Sequence, residues 1–249
     1  DVLNPYRIWL MVVLISGVSF LGYVSFKVVG GRYGIGLTGL LGGLVSSTAV
    51  TLSFTQRSRT QPELTRPYAL AITLSWTIMI LRILVIVAAL NFDLAAELWV
   101  PLMTAAIGGF GACIFLLLGN REVDEQQIRL TNPFELRSAL LFGGVYAAIL
   151  LISNLARISL GATGIYLSSI IAGLADVDAI TLSMAEISVQ PNGLEHRTAA
   201  VAILLAALSN TLVKGGIVIS SGSPALRRAI IPVLALMIIA GGIGALLIS

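Results

Sequence analysis

The chain predicts an all-α integral membrane protein of eight transmembrane helices, arranged as two parallel four-helix repeats, with glycines that allow helices two and six to be interrupted. Three observations carry this. Of 249 residues, 57% are hydrophobic and 11% charged, against about 45–50% and about 25% in soluble domains. The apolar residues run in stretches near the roughly 20 needed to cross a bilayer as a helix, without the ten-residue alternation of barrel strands. The two halves of the chain also repeat one another. With a mean hydropathy of +0.98, a soluble 26.2 kDa globule is excluded, because its surface could not be covered. One cysteine and no charged heptad exclude a disulfide scaffold and a coiled coil, and the apolar content excludes disorder.

The spans follow in order. Residues 8–26, 34–54, 98–119, 138–155 and 229–248 hold no charged side chain. Residues 67–90 hold Arg82, residues 198–219 hold Lys214, and residues 162–185 hold Asp176 and Asp178. Cys113 lies in an apolar run, as a small buried hydrophobe would. The polar stretch 121–137 divides the chain into a first four-helix unit (1–120) and a second (138–249). The start at Asp1, with no cleavable leader, reads as a piece of something longer.

The net charge of +3 is read as basic residues flanking spans, not as a nucleic-acid surface. Eight straight spans put both termini on one side with Arg7, Arg57, Arg59, Arg66, Arg121, Arg129, Arg137 and Arg197. Lys27, Arg32, Arg157, Arg227 and Arg228 then fall on the other, which places the termini in the cytoplasm.

The repeat is read from matched segments. Asn4-Pro5-Tyr6 precedes span one and Asn132-Pro133-Phe134 precedes span five. Gly43-Leu44-Val45-Ser46-Ser47-Thr48-Ala49-Val50-Thr51 matches Gly173-Leu174-Ala175-Asp176-Val177-Asp178-Ala179-Ile180-Thr181, 130 positions later. Arg82 falls on Lys214 after small gaps. Four spans per unit is even, which predicts parallel units; an odd number would invert them.

Spans two and six are rich in glycine and hydroxyls, which allow close approach and hydrogen bonding between helices. In span six Ser46 and Thr48 are replaced by Asp176 and Asp178, and ionisable groups inside a membrane mark a pathway, a relay or a pair. Asp176 lies about 14 Å from the end of its span, near mid-depth. Two residues apart, the aspartates face one ion only if the helix is interrupted, which Gly173 allows. The expected site holds Asp176 and Asp178 as its charge with Thr181, and draws Ser46, Thr48 and Thr51 from span two. Its oxygens suit a hard cation (Mg²⁺, Ca²⁺ or Na⁺), and a proton equally. No other cofactor is expected. Arg82 and Lys214 are expected either to snorkel or pair, or to belong to a conduction site. Asn154 and Asn210 are read as helix–helix hydrogen bonds, His196 as a solvated interfacial residue, and Gly30–Gly34 as a turn. No hydrolase, zinc-protease or phosphate-loop motif is present, so no enzyme is expected.

The segments Gly173–Thr181, Asn132–Leu136 and Gly39–Ser53 resemble the domain of unknown function that follows the MgtC-type domain in MgtC/SapB-related prokaryotic membrane proteins. The resemblance spans essentially the whole chain. It implies an upstream MgtC-type membrane domain and a loose association with magnesium, and no catalytic roles. The leading expectation is a transporter or channel of the prokaryotic inner membrane for a small inorganic ion, a cation by preference. The alternatives are a regulatory or scaffold module binding a partner membrane protein, and an anion transporter using Arg82 and Lys214. The lipid bilayer is the implied surrounding, and small-residue faces suit a homodimer.

Overall fold

The computed structural model describes residues 34–118, 136–190 and 193–246, and between 4 and 24 residues 4–6, 8–10, 12, 13, 16, 17, 20 and 24. Side chains are described from 36 in the second helix and from 143 in the fifth. Gly30–Tyr33, Asn132–Phe134 and nearly all of the 121–137 stretch lie outside these residues.

Every described element is a helix. Between 5 and 24 the described residues form α1, apart from which come α2 (Gly34–Arg57), a 3-10 turn (Pro62–Leu64), α3 (Thr65–Leu90), α4 (Phe92–Leu117), α5 (Leu136–Ala175), α6 (Val177–Ser188), α7 (His196–Ser221) and α8 (Pro224–Leu246). Among the described residues six stretches are long and apolar enough to cross a membrane: Gly36–Arg57, Pro62–Leu90, Phe92–Leu117, Gly143–Ala175, His196–Ser221 and Pro224–Leu246. The chain is thus a helical protein of multi-pass membrane type.

Local chemistry sets the helix starts. Asn4 caps α1, its Oδ1 accepting from Tyr6 N at 3.0 Å, with Pro5 in the first turn where its missing N–H is harmless. Asn91 alone separates α3 from α4 and caps the latter, its Oδ1 accepting from Leu94 N at 3.0 Å. That cap starts α4 at Phe92, six residues before the expected span, and brings in Asp93 and Glu97. Ser223 caps α8 in the same way, its Oγ accepting from Leu226 N.

The contacts divide into two compact units. One comprises Asp1–Gly17, Ile83–Val100 and Phe134–Asn210; the other comprises Val18–Arg82, Pro101–Pro133 and Thr211–Ser249. They are called the aspartate unit and the lysine unit below, after Asp176/Asp178 and Lys214.

In the lysine unit α2 does not run straight through. Ser46 is extended (φ −163°, ψ 104°) within the helix. Before it, a Cβ on Gly39 would lie 2.4 Å from Ala71 Cα and one on Gly43 would lie 2.7 Å from Ser75 Cα, so this arm runs parallel to α3. After it, Trp76 bonds Thr51 and Phe54 stacks on Tyr68 with centroids 5.0 Å apart, so the second arm runs antiparallel to α3. The chain therefore turns back at Ser46. The expected span two is thus interrupted at Ser46, as its glycines allow, into two short arms that pack on α3 in opposite directions. Its far end is tied to the start of α8, where Ser223 N donates to Ser58 Oγ at 3.0 Å.

In the aspartate unit the 40-residue α5 holds a reversal at Gly161 (φ 58°, ψ −139°), a left-handed conformation open to glycine. A Cβ on Gly164 would lie 2.2 Å from the Ala156 carbonyl oxygen. Residues eight apart in a straight helix are separated by about 12 Å, so the arms fold back on each other. The second arm ends at Asp176, where α6 begins, and all of α6 is buried. Asn91 Nδ2 donates to Ser188 Oγ at 2.9 Å and lies 3.2 Å from His196 Nε2, joining the end of α6 to the start of α7 and to the α3–α4 junction.

Candidate ion site

Both sequence-matched segments contain a helix interruption, at Ser46 in one unit and at Asp176 in the other. In each case the interrupting residue caps the helix that follows. Ser46 Oγ accepts from Ala49 N at 3.2 Å. Asp176 is extended (φ −155°, ψ 118°), and its Oδ1 accepts from Asp178 N at 2.8 Å and Ala179 N at 3.0 Å. The expectation that glycine upstream permits an interruption is met at both positions. The cap also divides the roles of the two aspartates. Asp176 Oδ1 is occupied by backbone N–H groups at the positive end of α6, which offset part of its charge. Asp178 sits in the first turn and is 9% exposed. One turn on, Thr181 is fully buried, and its Oγ1 has no hydrogen-bond partner among the described residues.

The arm before Asp176 packs on α7 by backbone approach, since a Cβ on Gly173 would lie 2.7 Å from Ala206 Cα. The carbonyls of its last turns are held from α7: Ser209 Oγ donates to Ile170 O at 2.8 Å and Asn210 Nδ2 to Gly173 O at 2.9 Å. Asn210 is thus the helix–helix bond expected of it. Asn154 is not; it accepts from Arg157 of its own helix at 3.2 Å. His196 is partly exposed at a helix start, and its Nε2 faces Asn91.

The lysine unit surrounds its interruption with cations. Arg82 donates from a terminal guanidinium nitrogen to Leu44 O at 2.7 Å, where a positive charge meets the carbonyl end of the first α2 arm. Lys214 Nζ donates to Ser47 Oγ at 3.1 Å and also to Met79 Sδ. Lys214 is 0% and Arg82 7% exposed, so of the expected alternatives neither snorkels to a surface and both are held by polar groups inside the unit. Thr51 Oγ1 donates to Ser47 O at 2.8 Å and accepts from Trp76 Nε1 at 2.8 Å. Thr48 is exposed.

Each expected site residue therefore lies at an interruption: Asp176, Asp178 and Thr181 in the aspartate unit, and Ser46, Thr48, Thr51, Arg82 and Lys214 in the lysine unit. Sequence reasoning missed Glu186, which is 7% exposed inside α6. It ended the span at Ala185, whereas the helix continues to Ser188. It also missed Ser153 and Ser169, fully buried hydroxyls with no partner among the described residues, because a serine in an apolar helix gives no signal of its own. Among those residues no group of three or more His, Cys, Asp or Glu could hold a metal ion.

Residues 13–222 match the family described as Domain of unknown function (DUF4010). A relative from Aquifex aeolicus (strain VF5), described as an uncharacterized protein, is 37% identical over 193 residues, covering 77% of this chain and 84% of its own length. No solved structure matches.

Proposed function

For this chain, which belongs to the DUF4010 family, we propose a membrane transporter or channel for a small inorganic cation, with Asp178 as the charge that binds the ion and Asp176 as the cap that holds the interruption open. The carrying observation is two carboxylates at the start of a wholly buried half-length helix, α6. Such helix breaks inside membranes are retained where they line an ion or substrate route.

The matched Gly43–Thr51 and Gly173–Thr181 segments, each holding an interruption, support an internal repeat as part of this reading. A prokaryotic inner membrane, an upstream MgtC-type domain and a link to magnesium remain proposals resting on resemblance.

The test is ion flux into proteoliposomes across Mg²⁺, Ca²⁺, Na⁺, K⁺, H⁺ and chloride. Saturable flux of a cation that disappears in Asp178→Asn supports the reading, and cation flux unchanged in that variant removes Asp178 from it. One observation favours a second reading. Lys214 is fully buried and bonded to Ser47, at the positive end of the second α2 arm, where an anion would be stabilised. Chloride flux lost in Lys214→Met would move the assignment there.

A further inference from the structure

Asn91, the residue between α3 and α4, centres a bonded cluster in which every donor and acceptor is assigned by a neighbour. Leu94 N donates to its amide at 3.0 Å, so that end is Oδ1. The other end is then the NH₂ group. It stands 2.9 Å from Oγ of Ser188, the last residue of α6, and 3.2 Å from Nε2 of His196, the first residue of α7. Ser188 Oγ gives its own proton to Ala185 O at 2.7 Å and accepts from Asn91. Asn91 and Ser188 are buried, so bulk water does not make up for a lost bond, whereas His196 is partly exposed.

An amide NH₂ donates and does not accept. Nε2 of His196 must therefore be the acceptor in the 3.2 Å contact, which leaves the ring proton on Nδ1. The cluster thus admits one form of the ring, neutral with Nε2 bare. A protonated imidazole carries N–H on both nitrogens and would set a donor against a donor. Asn91 cannot turn its amide to meet that form, because Oδ1 is committed to the Leu94 N–H and a turned amide would oppose it with NH₂.

We infer that His196 and Asn91 form a proton-released latch, which ties the start of α7 to the α3–α4 junction and the end of α6 while the ring is neutral, and lets go when the ring takes up a proton. Histidine is the side chain whose charge changes between about pH 5 and 8, and this is the single histidine of the chain. Its partial exposure at a helix start leaves it within reach of protons from solvent. The charged groups on the joined elements are Glu195 and Arg197, both exposed beside it, Asp93 and Glu97 in the first turns of α4, and the buried Glu186 of α6. Because α6 begins at Asp176 and Asp178, the latch holds the far end of the proposed ion helix. It goes beyond the cation reading and stands without it.

The test is nitrogen NMR of isotope-labelled histidine in the full chain, together with thermal unfolding at about pH 8 and about pH 5. At about pH 8 the parent is expected to show a proton on Nδ1 and none on Nε2. Asn91→Asp keeps a capping oxygen for Leu94 N and makes the other end an acceptor, so a proton is expected on Nε2 in that variant. On acidification the unfolding midpoint of the parent is expected to fall by about 2–4 °C more than that of His196→Gln, whose side-chain carbonyl accepts from Asn91 at either pH. Comparing the two proteins subtracts the carboxylates they share. A proton on Nε2 of the parent at about pH 8 overturns the latch, as does an equal fall of the two midpoints. Neither readout measures flux, so failure of the latch and failure of the cation reading are told apart.

Discussion

The two interrupted helices use one backbone device and fill it differently. In both, a glycine sits backbone-on-backbone against the following long helix, an extended residue caps a second arm, and a threonine follows five residues after the cap. In the lysine unit, side chains close the device: Trp76 covers Thr51, Lys214 reaches Ser47, and Arg82 takes the Leu44 carbonyl. In the aspartate unit the cap is a carboxylate, a second carboxylate follows, and the threonine is left without a partner among the described residues. The backbone thus fixes where a polar break sits, and the side chains around it differ between the two units.

The comparison breaks first at its shared element. Gly43→Leu and Gly173→Leu would each drive a side chain into backbone atoms less than 3 Å from the added Cβ. Both are expected to lose the folded species on size-exclusion chromatography, and the alanine variants to lose roughly 1–3 kcal/mol in thermal unfolding. Normal stability of either leucine variant would mean that this arm does not pack as described.

The two threonines sharpen the contrast. Thr51→Val leaves the Trp76 N–H buried without its acceptor and should cost about 1–3 kcal/mol, whereas Thr181→Val removes a hydroxyl with no partner among the described residues and should fall within about 0.5 kcal/mol of the parent. Equal costs for the pair would erase the distinction between them.

The caps give the smallest effect. Asp176→Ala should cost about 0.5–2 kcal/mol and Asp176→Asn only a few tenths, because asparagine caps nearly as well. If Asp176 acts as a cap, Asp176→Asn also retains more cation flux than Asp178→Asn. A greater flux loss in Asp176→Asn would assign the ion to Asp176.

Much of this was legible in the residues, and the remainder was hidden for identifiable reasons. Helical membrane character follows from composition, because too few charges exist to cover a soluble surface. The glycines of the matched Gly43–Thr51 and Gly173–Thr181 segments left room for both interruptions, without fixing them. What periodicity could not reveal was direction. An arm of about twelve residues set off by one extended residue reads, in hydropathy, like half of a straight helix. Glu186 was lost at a span edge drawn too early. Trp76 was passed over as an ordinary apolar residue, although its indole N–H bonds Thr51.

The most direct test compares the equivalent positions Thr48 and Asp178 by cation flux in proteoliposomes. The account predicts saturable flux that Thr48→Val preserves and Asp178→Asn abolishes. Equal flux in the two variants would contradict it.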